Sequence, residues 1–223
     1  MTDEQAPKQR LRIWFARGPE LRYVSHLDMA RTWERSFRRA GLPVAYSRGF
    51  NPRPRFQIAS ALPVGVTGRE ELTDVWLDAP LDPQELLDRL RPALPIGLDV
   101  LDAKEVDLRA PSLQSQMRAA RYVVTVVSQE PVAAIQTRID SLLEAPVIMR
   151  QRHHKGKMQP YDLRPLVQSV AVEPQGDKER ILSMRLQASP QGAGRPDQVL
   201  DVLGLSTVPF FIERTNLYFE FDK

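Results

Sequence analysis

The sequence predicts an α+β protein built of two tandem ferredoxin-like (βαββαβ) units with antiparallel sheets. Two observations lead there. Apolar periodicity alternates between strand-like spacing of 2 and helix-like spacing of about 3.6 in the order strand, helix, strand, strand, helix, strand. That order runs through residues 11–109 and again through 121–223. A third observation, the length of 223 residues, suits two units of ordinary size. The halves share element order only, with no repeat at the level of residues.

Each element has a local reason. Residues 1–10 are polar and read as a flexible N-terminus. "LRIWFARG" alternates through Leu11, Ile13 and Phe15 and reads as a strand. "SHLDMARTWERSFRRAG" reads as a helix, with Ser25 as N-cap, Asp28 three residues on, and Gly41 with Pro43 ending it. Leu27, Ala30, Trp33, Phe37 and Ala40 recur at helical spacing as its buried face. "PVAYS" reads as a short strand, and "FQIASALPVGV" and "EELTDVWLDAP" as extended segments. "DPQELLDRLRPALP" begins a helix with Asp82 as N-cap and Pro83 at the first helical position. "LDVLDAKEVD" closes the first unit as a strand, and "APSLQSQMRAA", residues 110–120, reads as a linker. In the second unit "RYVVTVV" is a strand and "PVAAIQTRIDSLLEAP" a helix with Ala134, Ile135, Ile139, Leu142 and Leu143 on one face. Two extended segments follow, then a helix at "RPDQVLDVLGL" and a strand at "FFIERTNLYFEF".

Composition narrows the function. The chain has no cysteine, which excludes disulfides, thiolate nucleophiles and cysteine-held iron–sulfur or zinc sites within it. No apolar run approaches the roughly 18–20 residues that span a bilayer. The N-terminus lacks an apolar core of a secretory signal, so a cytoplasmic, non-membrane protein is expected. P-loop, dinucleotide-glycine, nucleophile-elbow and HExxH motifs are missing, and Glu70, Glu71 and Asp74 lack magnesium-ligand spacing. No cofactor and no metal site are expected.

The net charge of +3 hides a strong asymmetry. Residues 1–69 carry thirteen Lys/Arg against five Asp/Glu, and residues 70–110 carry four against eleven. Local fields of this kind attract polyanions more than a small total charge does. The cations concentrate in two places near the N-terminal half's first helix. Arg31, Arg35 and Arg38 form a stripe at i, i+4 and i+7, with Glu34 able to pair with Arg38. The stretch "YSRGFNPRPRF" then holds Arg48, Arg53 and Arg55 without an acid. Gly49, Asn51 and Pro52 are turn residues, so this is a stiff exposed loop. Aromatics interleaved with cations suit single-stranded nucleic acid; Phe56 is expected in the core and Phe50 is open to either role.

A second basic cluster, "RQRHHKGKMQPYDLRP", reads as a hairpin with Lys155, Gly156 and Lys157 at its tip. Arg152, Lys155 and Lys157 are its candidate phosphate contacts. Asp162 and Arg164 lie on one side of a strand and are expected to form a bidentate pair. Adjacent His153 and His154 point to opposite strand faces, which disfavours a shared metal. His26, His153 and His154 are the candidate general bases, since histidine titrates near neutrality. No partner for a proton relay accompanies them, and His26 and Asp28 do not face each other on a helix.

The run "YVSHLDMARTWERSFRRAGLPVAYSRGFNPRPRFQIASALPVGVTGREE" resembles the radical SAM-linked protein family, a stand-alone domain of unknown function encoded beside or fused to radical SAM proteins in bacteria. "SHLD" (Ser25, His26, Asp28), "RAGLPVAYSRGFNPRP", "PVGVTGREE" and the later "DLRP" carry the likeness. It implies an accessory role without an iron–sulfur cluster, because the three-cysteine motif is missing. It also implies a neighbourhood of radical SAM proteins, a ribonuclease of the E/G type and ribosomal proteins. The sequence reading is therefore an RNA-binding accessory domain working with a radical SAM protein in RNA processing or translation. Two alternatives stand beside it. One is a metal-independent endoribonuclease resembling CRISPR repeat-processing enzymes. The other is an adaptor whose basic face docks an acidic partner, or is neutralised by the acidic stretch 70–110.

Overall fold

The computed structural model describes residues 6–154 and 156–222. The chain divides into two compact units, Met1–Gln116 and Met117–Lys223. Each is an α+β assembly on an antiparallel sheet.

In the first unit β1 (Gln9–Arg17) is followed by α1 (His26–Arg39), β2 (Phe56–Ile58), β3 (Val66–Leu77), α2 (Pro83–Leu90) and β4 (Leu98–Val106). The sheet runs β4-β1-β3-β2. Alternation in β1 sends Leu11, Ile13 and Phe15 into one core with Trp33 and Phe37 of α1 and Leu86, Leu87 and Leu90 of α2. An aromatic series ties α1 to both neighbours: Phe15 to Trp33 at 5.1 Å, Trp33 to Phe37 at 5.3 Å, and Phe37 to Phe56 at 5.5 Å between ring centroids. Helix α1 ends as the sequence predicts. Gly41 takes φ +62, the Leu42 amide donates to Phe37 and the Gly41 amide to Arg38.

The buried face of α1 differs from the sequence expectation. Met29, Trp33, Ser36 and Phe37 are buried, whereas Leu27 is 71% exposed. Met29, Trp33, Ser36 and Phe37 set the inward side of the helix, and Leu27, two residues and about 200° around the axis from Met29, lies on the outward side. "PVAYS" forms no strand; Val44 makes a single bridge to Leu77 and Tyr46 one to Pro54. Residues 110–120 are not a loose linker. They hold α3 (Leu113–Gln116) and the start of β5 (Met117–Val127), with Leu113 fully buried. Its main-chain carbonyls at Ala110 and Pro111 accept hydrogen bonds from Arg10, which anchors the segment against the sheet.

The second unit continues with α4 (Val132–Glu144), a hairpin of β6 (Met149–His154) and β7 (Lys157–Asp162), then β8 (Val167–Gln175), β9 (Glu179–Ser189), β10 (Gly192–Ala193), α5 (Pro196–Val202) and β11 (Phe210–Phe219). Its sheet runs β8-β9-β5-β11, with β10 also on β9. The β6–β7 pair forms a separate two-stranded sheet, the hairpin that the sequence predicts over "RQRHHKGKMQPYD". Of the face expected on α4, Ile135, Ile139 and Leu142 are buried while Ala134 is exposed.

Candidate nucleic-acid interface

Helix α1 presents its arginines outward. Arg31, Arg35 and Arg38 are all exposed. Ser25 caps the helix: its Oγ accepts from the Asp28 amide at 3.2 Å and donates to the Asp28 carboxylate at 2.8 Å. Asp28 in turn accepts from Arg31 at 3.0 Å, so the first cation of the stripe is paired from its N-terminal side. The Ser25 hydrogen bond holds the Asp28 carboxyl below its ordinary 3.8, outweighing the opposing effect of desolvation, and Arg31 and Arg35 add to the lowering. The ion pair expected between Glu34 and Arg38 does not form among the described residues.

The cationic loop is a narrow hairpin. The Arg55 amide donates to Ala45 at 2.7 Å and the Ser47 amide to Arg53 at 2.8 Å, while Ser47 Oγ accepts from the Arg53 amide at 3.0 Å. These bonds leave Arg48, Gly49, Phe50, Asn51 and Pro52 at the tip. Gly49 takes φ +132, a conformation that other residues rarely adopt. Phe50 is 106% exposed, so it has no part in the core. Phe56, by contrast, packs against the core, as its position predicts. Both stems are pinned to β3 at one residue, since the Ala45 amide donates to Trp76 and the Trp76 amide to Arg55, at 2.8 and 3.0 Å. The Arg55 guanidinium lies 5.5 Å from the Trp76 ring centre, and the Arg53 guanidinium has no carboxylate partner among the described residues.

At the base of this hairpin is a cleft of about 390 Å³ lined by Tyr46, Ser47, Arg48, Arg55 and Asp78. His26, an exposed residue, lines a much smaller cavity of about 10 Å³ with Arg17, Met29, Leu62 and Glu71. That space accommodates a water molecule rather than a nucleotide.

The β6–β7 hairpin aligns a second set of cations. Arg150 opposes Tyr161 and Arg152 opposes Gln159, with Lys157 two residues before Gln159 on β7, so these residues share one face. Gly156 turns the hairpin with φ +77; Lys155 lies outside the described residues, as do the side chains of His153 and His154. Arg150 roots the ribbon on α5 through Asp201 and Gln198. Arg152 lies 5.5 Å from the Tyr161 ring, and Arg152 and Lys157 are exposed. Burial raises the Tyr161 hydroxyl above its ordinary 10.0, opposed by Arg195, Arg150 and Arg152.

Asp162 and Arg164 do not form the expected bidentate pair. Asp162 accepts from the amides of Ile148 and Arg164 at 2.8 and 3.0 Å, closing the base of the ribbon. The Arg164 guanidinium instead donates to the carbonyls of Leu143 and Val167, at 2.6–3.0 Å. Leu143 lies in the last turn of α4, where unpaired carbonyls favour a cation.

Three of the cations counted in the basic N-terminal third are interior. Arg10, Arg12 and Arg17 are 1%, 6% and 2% exposed and contribute to no surface. Arg17 donates to the carbonyls of Leu21, Arg22 and Val24 beneath the entry to α1. Position in β1 is the only sequence signal for this, and its alternation points Arg10 and Arg12 to the face opposite α1 without showing that the face is covered. Among the described residues no cluster of three or more His, Asp or Glu side chains could hold a metal, and no helix is long and apolar enough to cross a membrane.

The fold and site define an α+β protein with antiparallel sheets and an exposed arginine–aromatic hairpin. The chain belongs to the family described as "Uncharacterized protein conserved in bacteria (DUF2344)", whose model matches residues 10–196. No curated protein matches its sequence. Among solved structures it is similar to a chain of a Cbf5–Nop10–Gar1 complex, with a TM-score of 0.47 and 11% identity over 92% of this chain and 48% of that one. An H/ACA RNP bound to a substrate RNA containing 2'-deoxyuridine gives 0.43 and 10% over 91% and 47%. An unknown protein from Galdieria sulphuraria gives 0.26 and 13% over 92% and 98%. The chain thus spans about half the length of the first two.

Proposed function

We propose that this protein binds single-stranded RNA and acts as an accessory to a radical SAM protein in RNA processing or ribosome-related biology. Phe50 is the observation that carries the RNA reading. A fully exposed phenylalanine has no role in packing, costs apolar exposure, and sits between arginines on a hydrogen-bonded hairpin. Stacking of a base on the ring, with Arg53 and Arg55 on the adjoining backbone, uses all three side chains. Within the first unit, Arg48 on the same tip and the α1 stripe of Arg31, Arg35 and Arg38 extend the contact; Arg152, Lys155 and Lys157 are a separate set of phosphate contacts in the second unit. The radical SAM association rests on the resemblance of the "SHLD" to "GFNPRP" region alone.

The same reading includes the fold in detail. Each unit is ferredoxin-like, supported by the sheet order 4-1-3-2 in both once the β6–β7 ribbon and β10 are set apart as additions. Binding is favoured over RNA cleavage because the His26 side chain has no hydrogen-bond partner among the described residues that would set it up as a general base.

Crosslinking of the tagged protein in its own cells, with wild type and Arg53→Ala/Arg55→Ala, tests the reading. RNA recovered from wild type and missing from the variant supports it. A protein partner captured by wild type but not by the variant, with no RNA in either sample, supports the adaptor reading instead.

A further inference from the structure

The cleft at the base of the loop has a composition that the loop tip lacks. Its volume, about 390 Å³, falls within the range of about 300–1,000 Å³ seen for small-molecule sites. Arg48 and Arg55 line it with two cations, Tyr46 with a half-exposed ring, and Asp78 with a carboxylate. The main chain explains why these meet. The Asp78 amide donates to Pro43 and the Ala45 amide to Trp76, so the entering stem of the hairpin runs beside the end of β3. The Asp78 carboxylate has no partner among the described residues, and Arg55 is oriented by the Trp76 indole.

An acid is costly in a site that binds only phosphate, because it repels the anion. Its place beside two arginines suits a ligand that carries both an anion and an edge of hydrogen-bond donors. A nucleotide has that form. An ionised carboxylate only accepts, and it accepts best from two neighbouring donors. Guanine presents N1–H and the N2 amino group side by side on its Watson–Crick edge. Adenine and cytosine each place an acceptor nitrogen beside their one amino group, and uracil flanks its N3–H with two carbonyls. Single-stranded RNA is read on such edges, with the base stacked on an aromatic ring.

We propose that this cleft is a guanine-selective nucleotide subsite, in which Asp78 accepts from the guanine edge, Tyr46 stacks on the base, and Arg48 and Arg55 hold its phosphates. The inference rests on the RNA-binding reading and names the base that the site prefers.

The test is fluorescence-anisotropy titration of the full chain with labelled nine-residue oligouridylates carrying one central guanosine, inosine, adenosine or no substitution. Wild type, Asp78→Ala and Asp78→Asn are compared. The guanosine oligomer is expected to bind about 5–100-fold more tightly than oligouridylate, the range of a good bidentate base contact. Inosine, which lacks the N2 amino group, falls between. Asp78→Ala and Asp78→Asn keep oligouridylate binding and lose the preference. Equal binding of all four oligomers by wild type, or a preference that survives in Asp78→Ala, overturns guanine selection and leaves RNA binding standing. No binding of any oligomer overturns the RNA-binding reading and the subsite with it.

Discussion

Asp74 bridges two guanidiniums in the interior of the first unit: Arg10 lies 2.5 Å from it and Arg12 2.9 Å, and the carboxylate is fully buried. Residue register explains the meeting, since Arg12 pairs directly with Asp74 across β1 and β3 and Arg10 with the neighbouring Trp76. Arg10 also stands 4.8 Å over the Trp76 ring and donates to the carbonyls of Ala110 and Pro111. One central acid of the stretch 70–110 therefore balances interior arginines and not the exposed loop.

Removal of that carboxylate leaves two buried cations without their anion. Asp74→Ala is expected to destabilise the protein by about 3–5 kcal/mol, the usual cost of breaking a buried pair from one side. Denaturant unfolding measures it, and a loss under about 1 kcal/mol would mean that the arginines find other partners.

Phe50→Ala separates the loop's binding role from its fold. The ring is fully exposed, so the melting temperature should stay within about a degree or two of wild type. RNA affinity should fall by about 1–3 kcal/mol on removal of one base stack. Unchanged affinity would remove the ring from the interface.

Arg53→Ala and Arg55→Ala act through charge. For each phosphate that the variant no longer neutralises, the slope of log affinity against log salt should become shallower by about 0.7 on a single strand. An unaltered slope with weaker binding would assign these arginines to base stacking instead of the phosphate backbone.

Ser25→Ala removes the cap of α1 and the main cause of the low Asp28 pKa. The expected loss is about 1 kcal/mol of stability. A depressed carboxyl contributes stability that is present above its unfolded value and lost as the pH falls through its folded value. That contribution therefore disappears below pH 3.8. Carboxyl NMR titration should show the Asp28 pKa rising in the variant; no rise would assign the shift to Arg31 and Arg35.

Asp162→Ala frees the amides of Ile148 and Arg164 at the base of the basic ribbon. Hydrogen exchange at those two amides should accelerate while the β5 and β9 core stays protected. The wider cost is about 1–3 kcal/mol.

Much of this molecule is legible in its residues because local rules dominate there. The α1 cap at Ser25, its glycine stop at Gly41, the Asp82 cap of α2 and the inward face of β1 each follow from a few neighbouring side chains. The exposed loop is equally legible, since proline, glycine and arginine in "SRGFNPRPRF" leave few other conformations. Three outcomes needed partners distant in sequence. Leu27 is exposed because the inward side of α1 is set by Met29, Trp33 and Phe37, which pack on strands and a helix far along the chain. Arg164 reaches the carbonyl of Leu143, 21 residues away, and so never pairs with Asp162. Asp78 lines one cleft with Arg48 and Arg55 only because the stem of the loop docks along β3. Sequence alone determined the main helices, most strands and the cationic turn, though not "PVAYS" or residues 110–120, where pairing and burial decided. The tertiary structure decided which cations are interior, which are exposed, and which acid stands beside them, because burial and charge pairing depend on what the folded chain brings together.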